Sequence, residues 1–206
     1  MLLSPPRLFS KISKLDWYRK ILHTWVDAYL DARSMRVLDV GCATGYLTKY
    51  VFSKGHQVSG VDVSRRMISR AKKENSTTAI DFKLCNEKEL PFQKGSIDLV
   101  LSASVINITS NPAEFAEQVF RVCKHDGIVS FLYPVSGFTD ADLHRSVREL
   151  GISGFSKAAL MAWHRSAPKL LINEVEQLLL EAGFEQIKSK QFFQGMVVSV
   201  SAKKIG

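Results

Sequence analysis

The chain has 206 residues, 46% of them hydrophobic and 23% charged, and a formal net charge of +8. That length supports one three-layer core and excludes two ordinary domains with a linker, so residues 1–206 read as a single domain. The charge would suit an acidic partner such as nucleic acid, an anionic membrane or an acidic carrier protein. However, Lys11, Lys14, Arg19 and Lys20 read as the solvated face of a helix, and no dense basic and aromatic module argues for nucleic acid. At the amino terminus the apolar run is too short, and Pro5 and Pro6 come too early, for a signal peptide. No stretch approaches a spanning helix. Cys42, Cys85 and Cys123 lack metal-ligand spacing, and the histidines show no HExxH grouping, so a cytoplasmic protein without a catalytic metal is expected.

Leu15, Tyr18, Leu22, Trp25 and Tyr29 recur at three- and four-residue steps, which predicts an amphipathic helix within an N-terminal helical segment, 1–34. Arg36 to Val40 is a near-continuous apolar run of the kind found in a parallel strand covered on both faces. It carries Asp39 at its end and runs into a turn bracketed by Gly41 and Gly45, residues that permit close backbone approach. A second strand, Gln57 to Val61, ends in Asp62 about 20 residues after the turn, where an acid can accept bonds from ribose hydroxyls. Ser64 caps a helix to Glu74, and Ile80 to Leu84 and Ile97 to Leu101 are strands. Asn111, Pro112 and Glu114 open a helix that is expected to reach Lys124. After Gly127 comes a fifth strand, Ile128 to Leu132. Asn173 and Glu176 start a last helix through Glu181. Two strands follow, Glu185 to Phe192 and Met196 to Ala202, turning at Gln194 and Gly195.

The succession VLDVGCATGYLTKYV, VSGVDVS, LCNEKELPF and SIDLVLSASVIN resembles the class I S-adenosylmethionine-dependent methyltransferases. Within them it is similar to the small-molecule branch typified by the ubiquinone and menaquinone C-methyltransferases. GCATG does not fit the dinucleotide fingerprint G-x-G-x-x-G, and the resemblance is close from Met35 to Val129. It implies an α/β, Rossmann-like, doubly wound seven-stranded sheet, mostly parallel with an antiparallel C-terminal hairpin. It also implies S-adenosylmethionine as cofactor, released as S-adenosylhomocysteine. By the same resemblance Asp39 positions the methionine moiety, while Gly41, Cys42, Ala43 and Gly45 pass under the cofactor. Asp62 holds the ribose with Val63 and Met67 near the adenine, Asn86 and Glu87 stand where the adenine amino group is met, and Ser102 offers a backbone carbonyl. Asparagine can accept that bond through its side-chain oxygen. Ala43 replaces the family's usual third glycine, which fits if its dihedrals are ordinary, and Asn107 stands where many relatives carry a histidine or aromatic pair.

Tyr133 to Pro168 is longer than an ordinary connection, and helices over Asp140–Leu150 and Ser156–His164 with a bend at Gly151 and Gly154 predict a helical substrate cap, 133–168. Phe138, Phe155, Met161 and Trp163 could line it or could pack it onto the domain. A sulfonium methyl is already activated, so catalysis needs positioning and exclusion of water more than a protein nucleophile. His144, His164 and Tyr133 are candidate bases by location alone, and no catalytic residue is assigned. The expected activity is methyl transfer to oxygen or carbon of a small-molecule acceptor. Rival readings are methylation of an acyl group on an acidic carrier protein, a non-catalytic cofactor-binding protein and, last, a nicotinamide reductase. The sequence leaves the oligomeric state open.

Overall fold

A computed structural model describes residues 11–86 and 88–205. Its centre is a seven-stranded sheet in the order β3-β2-β1-β4-β5-β7-β6. The strands are β1 (Arg36–Val40), β2 (Gln57–Asp62), β3 (Asp81–Leu84), β4 (Ile97–Ala103), β5 (Cys123–Pro134), β6 (Glu185–Phe192) and β7 (Val197–Lys203). Strands β1 to β5 pair in parallel, whereas β7 runs antiparallel to β5 and β6 antiparallel to β7. The order reverses between β1 and β4, which creates the crevice where ligands of open α/β sheets bind.

The helices are α1 (Asp16–Val26), α2 (Tyr46–Ser53), α3 (Arg65–Glu74), α4 (Pro112–Val122), α5 (Asp140–Glu149), α6 (Gly154–Ser166) and α7 (Ile172–Glu181). Period-two alternation along β1 sends Val37 to one core cluster and Leu38 to the other. The first cluster holds Trp17, Leu22 and Trp25 of α1 with Leu143 of α5 and Leu160 of α6. The second holds Phe115 and Val119 of α4 with Val175 and Leu179 of α7. The fully buried Trp25 donates its indole N–H to Ser130 Oγ at 2.8 Å, which ties α1 to β5.

Several expected boundaries move. Helix α4 stops at Val122, short of Lys124, because Cys123 already pairs with Ile97 of β4 and starts β5. The chain then passes a bulge between Ile97 and Leu99 with Asp126 left-handed at φ 63°, so the fifth strand is longer than Ile128 to Leu132. Helix α7 begins at Ile172, and Glu174 rather than Glu176 closes its first turn, accepting from the Leu171 N–H at 2.8 Å. In the cap, α6 begins at Gly154, two residues before the expected Ser156. Phe138, Met161 and Trp163 pack against the main core, while Phe155 is half-exposed under the Lys11 ammonium. The Pro5–Pro6 reading lies outside the described residues. Among these no helix is long and apolar enough to cross a membrane.

Candidate cofactor site

The site is built where β1 and β2 end. Gly41 and Gly45 are left-handed, at φ 77° and 79°. A Cβ on Gly41 would collide with Val105 Cγ2, and one on Gly45 would come within 2.6 Å of the Phe82 ring. Both glycines are therefore demanded by protein packing as well as by the turn. Gly41 N and Cys42 N both donate to Val61 O, at 2.8 and 2.9 Å, which draws the turn onto the end of β2. Ala43 departs from the expected ordinary dihedrals, since it is left-handed at φ 47°. An L-residue there costs about 1 kcal/mol or more, and the offset is a hydrogen bond from Ala43 N to Asp62 Oδ2 at 2.9 Å.

Asp62 thus has one oxygen on the turn, while Oδ1 accepts from Ser64 N at 2.8 Å, just ahead of α3. A carboxylate has about four acceptor positions, so these two bonds leave capacity for a ligand. Burial raises its pKa, against the pull of the two amide bonds. Asp39 is 2% exposed and accepts from Thr48 Oγ1 at 2.7 Å. Burial, more than the nearby Asp62 charge, pushes its carboxyl up to about 7 against the Thr48 bond.

A cavity of about 380 Å³ opens over these strand ends, with Gly41, Ala43, Asp62, Val63, Met67 and Asn86 on its walls. A crevice of about 30 Å³ continues on the other side of the turn, sharing Gly41 and Ala43 and adding Asp39 and Cys42. Eight of the expected residues are thereby brought together. Gly45 lines neither space and starts α2 instead. Ser102 also lines neither: it is buried in β4 with Oγ donating to Val40 O at 3.0 Å, and Ala103 and Ser104 reach the cavity in its place. Asn86 is present, but its Oδ1 already accepts from Lys88 N at 3.1 Å and Glu89 N at 3.2 Å. Both lone pairs of that oxygen are engaged, so the expected acceptor is already taken by the turn. Glu87 lies outside the described residues.

Sequence reasoning missed Val105, Ile108 and Thr109, which wall the cavity after β4, and Ser13 and Tyr46, which close the crevice with Tyr18. The α1 stripe already held Tyr18 and Leu22, both of which face the crevice. None of the three candidate bases lines either space. His144 is exposed with Nδ1 against Asp140 O at 2.6 Å. His164 is buried with Nε2 against Phe138 O at 3.1 Å. Tyr133 is wholly buried in the α4–α7 core.

The donor set fits an adenosine with a cationic amino-acid tail. Asp62 retains acceptor capacity for vicinal hydroxyls, the wider cavity is walled by Val63, Met67 and Ile108, and Asp39 lies buried at the narrow end, its pKa raised by burial and by the Asp62 charge.

Comparison with known proteins agrees with this geometry. Residues 38–131 match the family model described as a methyltransferase domain. YqeM of Bacillus subtilis, classed as a methyltransferase, is 31% identical over 133 residues, which are 57% of this chain and 53% of YqeM. The chain therefore spans about half the length of that relative. The ubiquinone biosynthesis O-methyltransferase of Burkholderia pseudomallei is 24% identical over 175 residues, 81% of this chain and 72% of that one. Among solved structures, a SAM-dependent methyltransferase from Aquifex aeolicus superposes with a TM-score of 0.71 at 19% identity, covering 98% of this chain and all of that one. Strand order, acid-ended strands and the methyltransferase-domain match over residues 38–131 converge on the class I S-adenosylmethionine-dependent methyltransferases as the family this chain resembles, and their cofactor is S-adenosylmethionine.

Proposed function

We propose that the protein transfers a methyl group from S-adenosylmethionine to oxygen or carbon of a small-molecule acceptor. The observation that carries this reading is the Asp62 carboxylate, held by Ala43 N and Ser64 N at the sheet's switch point, with Asp39 buried across the Gly41 turn. Asp62 holds the ribose hydroxyls, and Asp39 faces the ammonium of the amino-acid tail. Arg19 contacts two residues that line the crevice, its Nε donating to Ser13 O at 3.1 Å and its guanidinium 4.7 Å over the Tyr46 ring. We assign it the tail's carboxylate. The bound cofactor supplies a methyl group that is already electrophilic. The protein's task is then to position the acceptor and to exclude water, which Tyr18 and Leu22 of α1 do on the crevice side. The Cys42 thiol is kept neutral, because burial pushes its pKa up, so it stands by as packing rather than as a nucleophile. A small acceptor is supported by the similarity to the ubiquinone biosynthesis O-methyltransferase.

Calorimetric titration with S-adenosylmethionine, S-adenosylhomocysteine and NADH tests the reading. Micromolar binding of the first two, followed by release of S-adenosylhomocysteine with an acceptor, is expected; binding of NADH alone would overturn it. A second reading, methylation of an acyl group on an acidic carrier protein, is favoured by α3, which exposes Arg65, Arg66, Arg70, Lys72 and Lys73 against the single acid Glu74. A relative named malonyl-[acyl-carrier protein] O-methyltransferase from Hamiltonella defensa is 31% identical over 101 residues, 49% of this chain and 38% of that one. On this reading turnover collapses as salt rises, whereas salt-insensitive turnover of a free small acceptor excludes it.

A further inference from the structure

Helix α1 separates two spaces. Its Tyr18 and Leu22 line the cofactor crevice, while Trp17, Lys20 and Ile21 line a separate groove of about 620 Å³. The two spaces share no lining residue, so the groove is distinct from the cofactor crevice. Its other walls are the α5–α6 connection at Ile152 and the β6–β7 turn at Phe192 and Phe193. The volume is that of an ordinary small-molecule pocket, about 300–1,000 Å³.

Three features define what the groove would hold. First, it is aromatic: Trp17, Phe192 and Phe193 line it, and the Trp17 and Phe193 ring centroids lie 5.7 Å apart. Second, Trp17 is 8% exposed and its indole Nε1 is buried with no hydrogen-bond partner among the described residues. A buried indole N–H ordinarily finds an acceptor, as that of Trp25 does with Ser130. Third, Lys20 makes no ion pair among the described residues, although Asp16 stands one turn before it on the same wall. The β6–β7 turn is held in a costly form, with Phe193 at φ 48° and Gln194 at φ 53°, and Gln194 Nε2 bonds Glu149 Oε2 at 2.8 Å. That bond ties the turn bearing Phe193 to the end of α5.

We propose that this groove is a second small-molecule site, for a flat aromatic ligand that carries an acceptor oxygen, a carboxylate or phenol, directed to the Trp17 indole and Lys20. It is independent of cofactor binding.

Naphthoate is the probe, titrated calorimetrically into the full chain with and without saturating S-adenosylhomocysteine. Expected is saturable one-to-one binding with an affinity unchanged by S-adenosylhomocysteine and unchanged in Asp62→Ala. Trp17→Phe keeps most of the ring area and removes the donor, and should weaken naphthoate about tenfold. Ile152→Glu, at a half-buried wall position that tolerates a polar group without emptying the core, should abolish binding while leaving S-adenosylhomocysteine affinity intact. Absence of naphthoate binding, competition by S-adenosylhomocysteine, or equal binding to wild type and both variants would overturn the proposal. Failure of S-adenosylhomocysteine to bind while naphthoate does would overturn the cofactor reading and leave the groove standing.

Discussion

The end of β1–β2 and the start of the cap both use paired acids, but to opposite ends. Asp39 and Asp62 sit in burial that raises their pKa values, with fewer partners than they can accept. In the cap, Asp142 accepts from Thr139 N and Oγ1 at 3.0 and 2.7 Å and pairs with Arg145, and its pKa is lowered by those bonds. Asp140 faces Arg165 at 3.3 Å and His164 at 3.5 Å. The cap's acids are satisfied and hold helix ends; the strand-end acids are under-satisfied and wait for a cation or hydroxyl. An acid that burial has made uncomfortable is therefore a better guide to a site than the mere presence of acids.

The sharpest way to break this contrast is at the turn that holds the strand-end acids in place. Gly41→Val places a branched side chain at φ 77° and into Val105, and should cost about 3 kcal/mol or more of stability by urea unfolding. An unchanged midpoint would mean that Val105 yields freely. Next is Asp62→Ala, which should weaken S-adenosylhomocysteine by about 2–4 kcal/mol in calorimetry. Retained affinity would place the ribose elsewhere.

Smaller is the effect of pH. With its carboxyl pushed up to about 7, Asp39 holds a proton in the free protein below that pH, and a bound cation favours its ionised form. Binding of S-adenosylmethionine therefore releases a proton below about pH 7, and affinity should rise by up to about tenfold per unit until it levels off above it. A flat profile between acid and neutral pH would remove Asp39 from the ammonium. Asp142 behaves in the opposite way: its lowered folded pKa gives stability that is present above its unfolded value of 3.8 and is lost only as pH falls through the folded one. Smallest is Thr139→Ala, which removes the α5 cap and should cost about 1 kcal/mol without touching S-adenosylhomocysteine affinity. Any loss of cofactor binding in that variant would show that the two regions are coupled.

The strand-end acids were legible because a parallel strand covered on both faces is mostly apolar, so Asp39 and Asp62 stand out as carboxylates at or beside the ends of β1 and β2. What followed β4 was not. The sequence ends the strand at Leu101 and puts Ser102 just past it, but pairing extends through Ala103, and the left-handed Ser104 at φ 58° then throws Val105 over Gly41. No local signal marks a serine for that conformation. Asn86 was found, but the direction of its amide depends on a turn that claims its oxygen. The slip from Asn173 and Glu176 to Leu171 and Glu174 arose because acids at two neighbouring spacings offered the same cap. The cap's lining could not be chosen from composition, since Met161 and Trp163 serve the core equally well.

The bond between Ala43 N and Asp62 Oδ2 makes the turn its own reporter. A carboxylate that grips a ligand and a strained amide at once turns occupancy into protection. The Ala43 amide should exchange with solvent deuterium more slowly as the site fills, and it would signal binding without any label on the ligand.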